Sequence, residues 1–197
     1  MSTEIEIKYR IRSRDVEHIR HKLASFEHKD RKYEKNIMFD NQYKEMDKVD
    51  ARLRVRLISE ERDSKDKTIL FTYKRRLSTY LGIKKEEEIE VEFITDADEF
   101  ITILNRMGYD KTTSYERYRE TYETENVEIT LDEFPYGVVL ELEGSESDIL
   151  ALELQLGLTP EDRYSLSCDD LYCELCKERG IKINPDILFD DPHMPKY

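Results

Sequence analysis

At 197 residues the chain has the length of one domain, and with 38% hydrophobic against 39% charged residues it can bury a real core without apolar material to spare. Its net charge of -13 argues against nucleic-acid binding, because phosphate backbones demand a basic footprint, so any anion must be drawn in by a local basic cluster. No apolar run approaches the roughly 20 residues that a membrane-spanning helix needs, so neither nucleic acid nor a membrane is expected as a partner.

The opening Met1-Ser2-Thr3-Glu4 carries no signal-peptide pattern and leads directly into a strand. Three cysteines, an odd number, give no disulfide framework, and a reducing cytoplasm is the expected location. Cys173 and Cys176 form a C-x-x-C with Cys168 nearby, but Leu171, Tyr172 and Leu175 at helical spacing place them on a terminal helix. A zinc site there lacks a fourth ligand.

In chain order, the pattern predicts a strand at 3–10, a helix at 14–26 and strands at 33–40, 51–58 and 68–75. A strand at 83–94, a helix at 97–107 and strands at 112–122, 127–132 and 137–143 follow, and helices at 147–156 and 168–179 complete the fold. Ser13 opens the first helix, whose apolar stripe is Val16, Ile19 and Leu23. Asp96 caps the second, Phe100, Ile103, Leu104 and Met107 form its stripe, and Gly108 ends it. Ser167 and Gly180 bracket the last helix, and the tail from Asn184, with three prolines, is expected to be irregular. One domain over 1–197 results, with its strands inside 3–143, helices over 147–180 and a tail over 184–197. A loose internal repeat also shows: Glu4-Ile5-Glu6-Ile7 resembles Glu88-Ile89-Glu90-Val91, each followed by a helix.

The strands share one habit. Side chains alternate across a strand, so Glu4, Glu6 and Lys8 point one way and Ile5, Ile7 and Tyr9 the other. Arg52, Arg54 and Arg56 oppose Leu53, Val55 and Leu57, and Lys84, Glu86, Glu88 and Glu90 oppose Ile89 and Val91. Glu141 and Glu143 face away from Leu140 and Leu142. Two architectures use such strands. In an open sheet the ionic face meets water. In a closed eight-stranded antiparallel barrel, a mainly β member of the α+β class, the helices pack outside and the ionic face lines a tunnel. The mixed sign of that face and its arginines at alternate positions favour the barrel. Arginine forks meet phosphate oxygens in pairs, while carboxylates join a phosphate only through a hard divalent cation, so a metal-chelated polyphosphate is the implied ligand.

These residues also resemble the signature of the CYTH family, the triphosphate tunnel metalloenzymes, in their class IV adenylyl cyclase branch. Glu4-Ile5-Glu6-Ile7-Lys8 is similar to its E-x-E-x-K strand, Leu53-Arg54-Val55-Arg56 to its L-R-x-R and Thr72-Tyr73-Lys74 to its T-x-K. Glu86-Glu87-Glu88, Arg117-Tyr118-Arg119, Leu131-Asp132-Glu133 and Glu141-Leu142-Glu143 follow in the family's order. The resemblance implies an eight-stranded tunnel holding Mg2+ or Mn2+ on Glu4, Glu6 and Glu143, with Glu88, Asp132 and Glu141 as further ligands or as carboxylates supporting the ligands from behind. Lys8, Arg54, Arg56, Lys74, Lys84, Arg117 and Arg119 would grip a triphosphate-bearing small molecule, and Glu4, Glu6, Lys8, Arg54, Arg56 and Lys74 would form the catalytic set. The family usually has arginine where Lys84 stands and lysine where Arg117 stands; the charge survives both exchanges. Arg52 shares the face of Arg54 but lies outside the motif, and a salt bridge near the tunnel mouth is expected of it. The implied reaction is hydrolysis of inorganic or organic triphosphate. Cyclisation of ATP to cyclic AMP and pyrophosphate comes next, and thiamine triphosphate hydrolysis or non-catalytic sensing third. A homodimer stays open.

Overall fold

The computed structural model describes residues 2–93 and 96–195. Its strands are β1 (Ser2–Ile11), β2 (Glu27–Asn41), β3 (Ala51–Ser59), β4 (Thr68–Tyr80), β5 (Ile83–Phe93), β6 (Tyr109–Glu123), β7 (Val127–Phe134) and β8 (Gly137–Gly144), with two-residue strands β9 (Arg163–Tyr164) and β10 (Asp186–Ile187). The helices are α1 (Val16–Leu23), α2 (Glu45–Lys48), α3 (Ala97–Arg106), α4 (Glu146–Leu156) and α5 (Cys168–Arg179). Strands run in the order β6-β2-β3-β4-β5-β1-β8-β7, and β7 pairs back to β6, so the eight form a closed antiparallel barrel. That order is unchanged when β1 to β4 are exchanged with β5 to β8, as a duplicated half-barrel requires.

Alternation decides what each face does. On the outside, Ile7, Tyr9, Ile129, Leu131, Leu140 and Leu142 pack against Ile19 and Leu23 of α1 and Ile149, Leu152 and Leu156 of α4. Leu104 of α3 joins Ile37, Phe39, Val55, Leu57 and Ile69. Each fully buried side chain of this size contributes roughly 1.5–3 kcal/mol, so the outer face supplies the stability that an ionic inner face cannot. Leu171, Tyr172 and Leu175 of α5 pack with Met38, Tyr115, Phe134, Tyr136 and Val139. Because Met38 and Tyr115 also line the barrel interior, α5 covers one end of it.

Local chemistry holds the helices where the sequence places them. The Asp96 carboxylate accepts from the N–H groups of Asp98 and Glu99 at 2.8 and 3.2 Å. Ser167 and Asp170 form a reciprocal capping box at the start of α5, and Gly180 ends it in the left-handed conformation with φ 63°. The first helix is shorter than expected, since 13–15 form a 3-10 turn without a side-chain cap and the chain turns after Leu23. Most strands run past their predicted ends, carried by pairing with long neighbours rather than by their own alternation. Position 94, the predicted end of the fifth strand, lies outside the described residues. The tail is not wholly irregular: Asp186 and Ile187 add a parallel pair to β6.

A polar lock sits outside the barrel. The Tyr9 hydroxyl donates to Glu153 of α4 at 2.6 Å, and Arg163 donates to the same carboxylate at 2.9 Å and to the Leu81 carbonyl at 2.9 Å. Gly82 is required beside it, with φ 82° and a hypothetical Cβ only 2.9 Å from Cβ of Arg163. No helix among the described residues is long and apolar enough to cross a membrane.

Candidate active site

The inner face encloses a chamber of about 300 Å³, lined among the described residues by eight basic and nine acidic side chains. All the predicted site residues except Asp132 contribute to this lining. A lining of near-zero net charge cannot by itself take up a multiply charged anion, so what matters is which cations are already engaged.

On the wall formed by β6, β7, β8 and β1, nearly all are. Arg117 donates to Glu34 at 2.7 Å and to Asp132 at 2.8 Å, and Arg119 holds Asp132 through two bonds of 2.7 Å and Glu141 at 3.0 Å. Lys8 continues the chain, donating to Glu141 and lying 3.4 Å from Glu6. Asp132, expected as a metal ligand or as a support behind the ligands, is 0% exposed behind the lining with its oxygens occupied by these arginines. Against the upward push of burial, Arg117 and Arg56 hold the Glu34 carboxyl far below the usual range.

The β3 wall differs. Arg54 reaches Thr72 at only 3.5 Å and Glu90 at 4.0 Å, and Arg56 lies 3.8 Å from Glu34 and 3.9 Å from Glu90. Burial, and then the like charge of Arg54, pull the Arg56 guanidinium down to about 10. Nε of Arg56 is buried without a hydrogen-bond partner. Arg52 corrects an expectation. Among the described residues it forms no salt bridge, and it lines the chamber at the end covered by α5, where Asp169 is the strongest charge acting on it.

The third sector is acidic. Nζ of Lys74 lies 2.8 Å from Glu4, 3.1 Å from Glu88, 3.3 Å from Glu86 and 3.7 Å from Glu6, one ammonium serving four carboxylates. Burial, and next the neighbouring Glu4, push the Glu143 carboxyl up to about 7. Burial also raises Glu4, although Lys74 opposes it. Glu6 behaves oppositely: against burial, Lys8 and Lys74 bring it down to about 2. Among the described residues no three carboxylates form a preassembled metal cage. Yet oxygen donors that resist ionisation for want of positive charge fit a hard divalent cation. On β5, Lys84 is 1% exposed, donates to the Leu166 carbonyl at 3.2 Å and lies 3.5 Å from Glu6. Burial, and then Lys8, lower it to about 8.

Sequence reasoning missed several members. Glu34 alternates with Asn36 and Met38 along β2, a polar step that signals an inward face. Glu128 was also missed, whereas Glu90, already placed on the ionic face, was only left out of the predicted site set. Cys168 and Asp169 of α5 line the chamber through a distant contact that no local pattern reveals.

Comparison with known proteins places this arrangement. The model of the CYTH domain matches residues 2–161, all eight barrel strands included. The chain belongs to the CYTH family. A Methanocaldococcus jannaschii protein, provisionally named an adenylate cyclase, is 30% identical to this CYTH protein over 74% of the chain and 79% of the relative. The structure of PH1819 from Pyrococcus horikoshii shares 28% identity at a TM-score of 0.70, covering 89% of this chain and 99% of the other. A Hippeastrum protein, described as a provisional adenylyl cyclase with a dominant triphosphatase activity, has the same fold at 18% identity and a TM-score of 0.63, over 91% and 97% of the two chains. The α5 helix that covers one end of the chamber lies beyond the family match.

Proposed function

We propose that this CYTH protein is a divalent-metal-dependent triphosphatase acting on inorganic triphosphate or a small organic triphosphate. The observation that carries this reading is the division of charge in one chamber. An arginine stripe on β3 has few acceptors, and it stands beside a carboxylate sector with more negative charge than Lys74 can balance.

Glu4, Glu6 and Glu143, supported by Glu88 and Glu141, would hold Mg2+ or Mn2+, whose chemistry is to neutralise phosphate oxygens and polarise the attacking water. Arg54 and Arg56 direct their guanidinium forks at the phosphates, and Lys74 and Lys8 add point charges. Arg117 and Arg119 present their remaining edges from a wall fixed by Asp132 and Glu34. In the reaction a water oxygen bonds to the terminal phosphorus and the bridging P–O bond breaks. The electron pair leaves with the shortened phosphate chain, and the water's proton passes to solvent. Alignment and charge stabilisation supply the catalysis, with no covalent enzyme intermediate.

Cyclisation of ATP is the second reading, favoured by the Methanocaldococcus jannaschii relative. It needs a nucleoside site beside the α-phosphate, and among the described residues the apolar lining of the chamber is confined to the buried side chains of Met38 and Tyr115 and to Cys168. Hydrolysis therefore ranks first. The test incubates the full chain with Mg2+ or Mn2+ and either inorganic triphosphate or ATP, measuring phosphate, pyrophosphate and cyclic AMP together. Metal-dependent phosphate release, lost on chelation, is the expected outcome. Cyclic AMP in step with pyrophosphate would establish the cyclase instead.

A further inference from the structure

The β3 stripe is longer than a triphosphate requires. Arg52, Arg54 and Arg56 occupy alternate positions of one strand, so their Cα atoms span about 13 Å along the chamber. That span exceeds the distance between the outer phosphorus atoms of a triphosphate, which two of the three arginines already bracket. Arg56 and Arg54 lie toward the mouth, near Glu90, which is exposed. Arg52 lies one step further in, beside the first turn of α5.

Its surroundings separate it from the other seven cations of the lining. Each of those has a carboxylate within 4.0 Å: Lys8, Lys74 and Lys84 through Glu6, Arg54 and Arg56 through Glu90, Arg117 and Arg119 through Asp132. Arg52 has none among the described residues, although it is half-buried. The groups facing it are Asp169 and Asp170 from α5, Glu86 from β5 and the Tyr115 hydroxyl from β6. The three carboxylates set the guanidinium in negative potential, and none of these groups engages its N–H donors at contact distance. A planar fork with its donors free and open to a cavity suits an oxyanion. Met38 and Tyr115 are buried on this side and pack with α5, which covers this end of the chamber.

We propose that Arg52 forms a fourth phosphate subsite, so that the chamber accepts linear tetraphosphate with its terminal group seated against α5. Water would cleave such a chain to triphosphate and orthophosphate, one P–O bond forming as one bridging P–O bond breaks, with one proton released. This inference rests on the triphosphatase reading and extends it to chain length. The test compares kcat/KM for inorganic triphosphate and inorganic tetraphosphate, with Mg2+, in the full chain and in Arg52→Gln and Asp169→Asn. In Arg52→Gln the tetraphosphate-to-triphosphate ratio should fall roughly 10- to 100-fold, the loss of one charge-assisted bidentate contact. Asp169→Asn, which removes a competing anion, should raise the ratio. A ratio unchanged in both variants overturns the fourth subsite while leaving the triphosphatase intact. Failure of the unaltered chain to hydrolyse either compound counts against the triphosphatase reading itself. In that event calorimetric binding of the two phosphates decides for Arg52: a tetraphosphate preference lost in Arg52→Gln supports the subsite, and its absence overturns it.

Discussion

The two arginine-bearing walls of the chamber use the same side chain for opposite purposes. On β6, Arg117 and Arg119 are bound into a buried sequence of carboxylates running from Glu34 through Asp132 to Glu141. On β3, Arg52, Arg54 and Arg56 stand at the edge of pairing distance or beyond it. A buried charge that is fully paired serves as masonry, and removing one partner leaves the other stranded. A charge left short of partners retains its capacity for a ligand. Identity of residue does not distinguish the two. The register of the neighbouring strands does, because β7 places Asp132 directly opposite Arg119, whereas β4 places Thr72 opposite Arg54.

The contrast can be broken from either side. The largest effect is expected at the masonry. Asp132→Ala should lower stability by about 3–5 kcal/mol, because Arg117 and Arg119 would both lose a buried partner, leaving Glu34 and Glu141 alone to balance them. For a chain of this size that is a drop in melting temperature of roughly 10 °C, readable by calorimetry. A melting temperature unchanged in Asp132→Ala, with metal affinity lost, would return this residue to the ligand set that the sequence suggests. Next comes Arg54→Ala, expected to weaken triphosphate binding by about 1.5–3 kcal/mol with little change in melting temperature. Unchanged affinity by titration calorimetry would remove Arg54 from the site. Mg2+ should sharpen the contrast in the third sector, raising the melting temperature by relieving the crowded Glu4 and Glu143 carboxylates. Glu143→Gln should diminish that increment, and an identical increment in the variant would exclude this residue as a ligand. The smallest effect belongs to the lock outside the barrel. Tyr9→Phe should cost about 0.5–1.5 kcal/mol and leave turnover unchanged, since Arg163 continues to neutralise Glu153.

Much of the fold was legible because a barrel wall is periodic. Glu4-Ile5-Glu6-Ile7-Lys8 and Arg52 to Leu57 each announce two faces, and eight such segments with short connections have few ways to close. The content of the chamber was legible for the same reason, residue by residue. Partner choice was not. Arg117 and Arg54 look alike in sequence, and only the register of strands far apart in the chain shows one to be sealed and the other available. Glu34 was overlooked because its partner Arg117 lies 83 positions away. Arg52 was misplaced because the element that makes its end of the chamber interior rather than a rim, α5, arrives more than a hundred residues later. Strand ends failed for a related reason: β2 and β6 sustain each other to Glu27 and Glu123, beyond the point where either alternates cleanly.

The near-balance of charge inside the chamber also governs how a substrate arrives. With eight basic and nine acidic side chains in the lining, almost all of the net charge of -13 is carried by the rest of the molecule. An approaching polyphosphate therefore meets a repulsive field before it meets any arginine, and a Debye length of about 8 Å at physiological salt leaves part of that field in force. The species that crosses most readily is the one already paired with cations, and added salt should hasten the encounter rather than slow it. On the proposed function, the acidic exterior would act as a kinetic filter for metal-complexed phosphate chains, the reverse of the steering by which basic proteins collect polyanions.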